Sequence, residues 1–465
     1  VDVTVGIDIG TTSVKAVAAT ADGTVVARAR VPHSLHAAHA GELAHDAAEA
    51  WHDGVLSALH AVASSDDVDV AAVQVAAMVP SLCAVDGTGR PISDGLLYGD
   101  ERGAGEGGSA NPSESGELVR FLGSLVRSHP DAAGYWPAQA VANHALCGIG
   151  AIDSVAAMTT LPLFDFTSWD EAVAGDAGLS DVGRLPLIGH GTGAIGEVQP
   201  AAGAAQGALV GPGTIDAYGE QLVAGADQVG DVLVILGSTL IVWAVVAEWV
   251  EVDGLWTVPH TAPGKVLVGG PSNAGGLFVN WAGRLLDGGD IRASAGETGA
   301  DGRPADVRPD RVPVWQPYLR GERVPLHDPS RRASLSGLDI GMGPAAARRA
   351  ALEASGFAAR HMLDLAGLLD GEGRARRIVA TGGGVQNAAW LAALADATGL
   401  PVDRVVVPEG GALGAAYLAR LTAGLEASTE SAGRWAAIAG RTEPDERWAA
   451  AAGERYERYR AAAAS

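Results

Sequence analysis

The sequence predicts a mixed α/β protein of two domains, each a sheet covered by helices. Three observations carry that expectation. At 465 residues the chain exceeds what one ordinary hydrophobic core organises. Its opening runs strand, strand, strand and then alternates helix with strand, as a mixed sheet with helices on its faces does. A strand–polar turn–strand unit near the start recurs near the middle, which is the trace a duplicated domain leaves.

The elements follow in order. VDVTVGIDIG alternates, is rich in β-branched residues, and reads as a strand ending in a polar turn at Gly10–Ser13. VKAVAATADGTVVARARV gives a second strand, a turn at Asp22–Gly23 and a third strand. In AHDAAEAWHDGVLSALHAVAS, the spacing of Ala44, Ala48, Trp51, Val55 and Leu59 predicts an amphipathic helix. DVAAVQVAAM and LCAVDGTGRPI return to strands. From Gly99 to Gly193 the chain reads as mostly helical, with connections such as GAGEGGSANPSES. GALVGPGTIDAYGEQLVAG is a strand, a glycine turn and a helix, and DVLVILGSTLIVWAVV then repeats the opening unit. The second half ends in alternation: helix AAARRAALEASGFAARHMLDLAGLL, strand RIVATGGG, helix NAAWLAALADATG, strand RVVV and helix GALGAAYLARLTAG. The expected domains are 1–224 and 225–440, with 441–465 a peripheral, alanine-rich helix.

Composition narrows the function. A formal net charge of −23 argues against nucleic-acid binding, which needs a basic footprint. An anionic ligand would then be held by local dipoles. Cys83 and Cys147 form no CxxC and read as small buried hydrophobes of a reducing compartment. The apolar run VGDVLVILGSTLIVWAVV is broken by Asp231, Gly237, Ser238 and Thr239, so no membrane span is expected. With no signal-peptide pattern at the start, the expected location is the cytoplasm.

Chemistry concentrates in a few turns. A turn between strands offers successive backbone N–H groups, and such a nest binds anions without a helix. Gly10, Thr11, Thr12 and Ser13 form one candidate, with hydroxyl donors added, and Lys15 brings a compact point charge. That lysine stands out because the chain has only one other, Lys265, among 32 Lys and Arg. Gly237, Ser238 and Thr239 form a second such turn, one per domain. Asp8, a strand-end carboxylate beside the first turn, is a candidate Mg2+ ligand. Gly382, Gly383 and Gly384 join a strand to a helix and let a flat ring or a phosphate approach bare backbone.

DIGTTSVKAV, VGPGTIDAYGE, LGSTL, YLRGERVPLHDPSRR, ATGGGVQNAAWLAALADATGLPV and GALGAAYLA occur in that order. Over 1–423 the chain resembles the FGGY family of carbohydrate kinases, within the actin-like ATPase superfamily. The resemblance implies two ribonuclease-H-like domains flanking a deep cleft. ATP–Mg2+ would lie mainly on the C-terminal domain and the sugar mainly on the N-terminal one. It makes Gly10–Ser13 and Lys15 the first phosphate loop, Asp8 its metal-associated carboxylate and Gly237–Thr239 the second loop. Gly382–Gly384 and Asn387 become the adenosine site, and Asp216 the catalytic base. A carboxylate at a helix N-terminus would stay ionised and accept a hydroxyl proton.

Within the family the general pattern resembles the xylulokinase-like branch, from which the chain departs in the sugar pocket. Where that branch carries Gln-Met-His-Gly, Met78 aligns but Val79 and Pro80 stand at the histidine. A lost donor changes which hydroxyl pattern a pocket accepts. LLYGDERG resembles the family's Trp-Asn-Asp-x-Arg, with Tyr98 for the tryptophan; Asp100 and Arg102 are candidate sugar contacts or a structural ion pair. The expected activity is phosphotransfer from ATP to an alcohol group of a small ketose or polyol. A glycerol- or erythritol-type polyol kinase and a non-catalytic sugar or nucleotide sensor of the same fold are the alternatives. The expected partner is a small-molecule sugar or polyol, with neither nucleic acid nor membrane; homodimerisation stays open.

Overall fold

The computed structural model describes residues 1–37, 41–64, 68–103, 116–189, 191–260, 264–287, 299–371 and 374–463. Of the expected connection GAGEGGSANPSES, at 103–115, all but Gly103 lies outside them. The chain forms two compact units: Val1–Val223 with Glu409–Trp435, and Ala224–Pro408 with Ala436–Ser465.

In the first unit β1 (Asp2–Ile9) is central. It pairs antiparallel with β2 (Ser13–Ala19), which pairs antiparallel with β3 (Val25–Pro32). On its other side β1 runs parallel to β4 (Asp69–Ala77), on which lie β5 (Leu209–Val210) and β6 (Thr214–Ile215). Successive side chains of a strand point to opposite faces. Val3, Val5, Ile7 and Ile9 accordingly join one core with Trp51, Val55 and Leu59, the last two on α1 (Gly54–Ala63). The other face of β1 receives the helix Gly410–Thr422: Thr4 Oγ1 donates to Ala416 O at 2.8 Å. A Cβ on Gly6 would sit 1.8 Å from Ala412 O. The helix expected over Trp51 is split, a π-helical turn at Ala48–Asp53 leading into α1.

The expectation for 99–193 needs correction. Helices cover Glu117–Ser128, α2 (Ala138–Cys147), Ser154–Met158 and Glu171–Asp176. Short strands at Gly134–Trp136, Ala151–Asp153 and Leu187–Gly189 stand between them, because each finds a partner strand. α3 (Asp216–Ala224) closes the N-terminal run.

The second unit repeats the plan. β7 (Asp231–Leu236) turns at Gly237–Thr239 into antiparallel β8 (Leu240–Val246), and β9 (Val266–Ser272) continues that side. α4 (Gly276–Asp287) follows β9, and α5 (Pro344–Leu365) packs on α4. On the other side of β7 lie parallel β10 (Arg377–Thr381) and β11 (Val402–Val405), with α6 (Ala388–Thr398) between them in the chain. Each polar hairpin therefore leaves the central strand of its sheet.

The expected limits at 225–440 and 441–465 do not match these units. Residues 409–435 belong to the first unit, because the helix Gly410–Thr422 is apolar on the side that meets β1 and β4. The terminal helix α7 (Glu446–Ala463) is not peripheral: Trp448, Tyr456 and Tyr459 are buried. So is Arg455, paired through both arms with Glu353 of α5 at 2.7 and 2.8 Å. Buried charges persist only when paired, and Arg349 completes this group from Glu353 to Asp396.

Candidate active site

The first unit gathers Asp8, Lys15 and Asp216. Asp8 and Lys15 face each other across the β1–β2 register, with Nζ 3.4 Å from Oδ2. Burial acts to lower the Lys15 pKa, but Asp8, Glu220 and Glu409 outweigh it and hold the ammonium above its ordinary range. The Asp8 carboxylate is buried and its Oδ1 has no hydrogen-bond partner. Gly411 covers it: a Cβ there would be 3.1 Å from Asp8 Cγ. Asp216 opens α3 and its Oδ1 accepts from the Ala217 N–H at 2.7 Å. Burial first, then the Asp8 charge, push its carboxyl up to about 6, against the pull of that N–H and of Lys15. Glycine makes this convergence possible. A Cβ on Gly414 would lie 2.0 Å from Gly219 O, so α3 and the helix Gly410–Thr422 cross backbone to backbone.

The Gly10–Ser13 turn is closed by the Gly10 N–H on Ser13 O at 3.1 Å. Two histidines that sequence reasoning missed hold its carbonyls. His33 Nε2 meets Gly10 O at 3.0 Å and His45 Nε2 meets Thr11 O at 2.8 Å. Trp51 Nε1–H donates to His45 Nδ1 at 2.9 Å, which fixes His45 as the neutral Nε2–H tautomer. Burial, aided by His33 and His36, lowers its pKa to about 3. Thr11 Oγ1 also meets Tyr98 OH at 3.0 Å, whereas Thr12 is exposed.

The strand that delivers Asp216 is pinned from α2. Gln139 Nε2 donates to Thr214 O at 3.0 Å, and Asn143 Nδ2 to Pro212 O at 2.8 Å. Spaced i, i+4, the two amides share one helix face, and that spacing was the only signal available. Met78 is buried beside the turn, its N–H reaching Ile9 O at 3.4 Å. Asp100 is fully engaged: it accepts from Arg102 Nε and Nη2, both at 2.7 Å, and from the Leu43 and Arg102 N–H groups. Arg102 keeps about a third of its side chain (36%) exposed.

In the second unit the Gly237–Thr239 turn and the three glycines sit at the ends of the paired strands β7 and β10. Gly382, at φ +84°, lies 3.0 Å by its missing Cβ from Leu236 O, while a Cβ on Gly383 would meet nothing within 4 Å. That leaves an open backbone shelf next to the turn. Asn387 caps α6 through Trp390 N–H at 3.2 Å, a role it has without any ligand. Among the described residues no three His, Cys, Asp or Glu side chains cluster around a metal-sized site.

Models of two FGGY carbohydrate-kinase domains match the chain, the N-terminal domain over residues 3–112 and the C-terminal domain over 232–423. A glycerol kinase of Cereibacter sphaeroides is 39% identical over 163 residues, which cover 35% of this chain and 32% of that enzyme. The matched stretch thus spans about a third of the relative's length. A gluconate kinase from Lactobacillus acidophilus shares the fold at a TM-score of 0.79 and 21% identity, covering 100% of this chain and 99% of that one. A xylulose kinase from Rhodospirillum rubrum does so at 0.75 and 24%, covering 99% and 98%. With one polar hairpin at the heart of each sheet and both domain models matched, the chain belongs to the FGGY family of carbohydrate kinases.

Proposed function

We propose that the protein transfers the γ-phosphoryl group of ATP to a hydroxyl of a small ketose or polyol, with Asp216 as the base. One observation carries this: a carboxyl pushed up to about 6 sits beside the Asp8–Lys15 pair in a glycine-lined corner. A base poised near the working pH is mostly ionised there and still basic enough to take a proton. Asp216 accepts the hydroxyl proton as the new P–O bond forms and ADP departs. Lys15 and the Gly10–Ser13 turn offset charge on the phosphoryl oxygens, since such transfers need positioning and electrostatics above all.

The second unit binds the nucleotide in this reading. Gly237–Thr239 faces its phosphates, and Gly382–Gly384 offer the adenosine a surface without side chains. Asp8 suits Mg2+, because its buried Oδ1 is an acceptor with no donor. Mg2+ at a phosphate site takes one or two carboxylates and keeps waters, so one carboxylate is enough. When bound it would neutralise phosphate charge. On the acceptor side, Arg102 meets a sugar hydroxyl while Asp100, itself held by the Leu43 N–H, keeps it in place. The apolar Val79 and Pro80 favour an acceptor that presents few hydroxyls to that wall. Identity to glycerol kinases supports a glycerol-type polyol as a second reading.

ADP release and sugar-phosphate formation, measured with ATP–Mg2+ over a panel of pentuloses, hexuloses, glycerol and erythritol, test the proposal. Turnover of at least one acceptor with a primary alcohol beside vicinal hydroxyls is expected. Nucleotide binding with no acceptor turned over would favour the sensor.

A further inference from the structure

The YLRGERVPLHDPSRR stretch contributes nothing to the site so far, yet it holds a carboxylate that is 3% exposed, Glu322. Its Oε1 accepts from the N–H groups of Asn273 at 2.8 Å and Arg323 at 2.7 Å. Its Oε2 accepts from Ser272 Oγ at 2.7 Å. That hydroxyl in turn accepts the Ala274 N–H at 3.1 Å, and Asn273 Nδ2 reaches Gly321 O at 2.9 Å. The whole bend from β9 into α4 is thereby tied to one side chain. Burying a carboxylate is costly without such donors, and even with them burial pushes this one up to about 7.

The bend touches one thing of consequence. The Gly276 N–H donates to Gly237 O at 2.8 Å, and the Leu277 N–H to Ser238 O at 2.9 Å. The first N–H groups of α4, which have no partner within their own helix, are satisfied by the carbonyls of the second polar turn. Fit is close throughout: a Cβ on Gly275 would be 2.2 Å from Thr239 C, and one on Gly276 would be 2.7 Å from Gly237 O. With the Gly237 and Ser238 carbonyls held by α4, the peptide planes of the turn are oriented from behind.

We propose that Glu322 is a positioning residue for the nucleotide phosphates, acting through Ser272–Gly276 and the start of α4 on the Gly237–Thr239 turn. This rests on the assignment of that turn to the nucleotide made above. Glu322 touches no substrate. It sets the turn before ATP arrives, so its loss should weaken nucleotide binding and leave acceptor binding in the first unit alone.

Calorimetric ADP binding and steady-state kinetics on the full chain test it. Glu322→Ala should weaken ADP binding and raise KM for ATP about tenfold, as the loss of one charge-assisted contact does. KM for the acceptor should stay within about twofold, inside the error of one weak contact. Glu322→Gln keeps an oxygen for both backbone N–H groups and should restore most of the affinity. Where Glu322→Ala fails to fold, Ser272→Ala reads the same link and should raise KM for ATP by about threefold, as one neutral hydrogen bond does. A lowered melting temperature with unchanged ADP affinity in either variant overturns the proposal, and so does an equal rise in both KM values. Wild-type protein that binds ADP but phosphorylates nothing sinks the kinase reading alone. Wild-type protein that binds no ADP sinks both.

Discussion

Asp216 is a buried carboxyl with two neighbours of opposite sign. Asp8 raises its pKa and Lys15 lowers it, with burial adding the largest push. Asp216→Asn keeps the shape and the helix start but cannot take a proton, so sugar-phosphate formation should fall at least about a hundredfold. ADP affinity should hold within severalfold, and retained turnover in that variant would return Asp216 to the role of a helix cap. His45 invites a test by pH. Its folded pKa of about 3 lies below the unfolded 6.5, so the folded state binds fewer protons between those values. The stability it contributes is present above pH 6.5 and is lost as pH falls towards 3, by up to about 1.4 kcal/mol per pH unit. Asp153 and Asp216, both pushed up to about 6, act in the opposite sense. The effect is therefore read as a difference: the urea-unfolding free energy of wild type relative to that of His45→Gln should fall as the pH goes from 7 to 4. Equal slopes would show that His45 titrates in the folded protein as it does in the unfolded chain.

Among the elements, the helix Gly410–Thr422 has the least room. Gly414 meets Gly219 O and Gly6 meets Ala412 O, both backbone atoms that cannot turn aside. Overpacking of this kind costs roughly 1–3 kcal/mol. Gly414→Ala should lower the stability of the first unit by about 2 kcal/mol or more in denaturant melts. Gly175→Ala, in a short helix where a Cβ meets nothing within 4 Å, serves as the control. A neutral Gly414→Ala would mean that the two helices can part without loss. These elements also show what could be read beforehand. Both polar hairpins were legible because a turn declares itself locally, through glycine and hydroxyls between two β-branched runs. The hold of His45 on Thr11 O was not, since a histidine at the head of a stretch that reads as helical carries no mark of a carbonyl 34 positions away, nor of the short strand Ala44–His45 on which the structure places it. Nor was the burial of α7. Its Arg455 reads as a surface residue until Glu353, 102 positions earlier, is brought beside it.

At the scale of the whole molecule, the chain builds the first unit, then most of the second, returns for Glu409–Trp435, and finishes in the second. Neither unit is a continuous segment. A chain ending at Ala224 should therefore show no cooperative unfolding transition, because β1 would expose Thr4, Gly6 and Asp8 where the helix Gly410–Thr422 belongs. A sharp two-state melt of that fragment would prove the return segment dispensable. The same pairing has a meaning in time. Thr4 and Ala416 are bonded across 412 positions, and a ribosome adding roughly 5–20 residues per second needs about 20–80 s to span them. For that interval β1 lacks its cover, and the unit it centres must stay incomplete. The nascent chain thus presents an uncovered sheet face to the cell for that interval, which makes it a natural client for chaperones that shield such faces until the helix Gly410–Thr422 emerges.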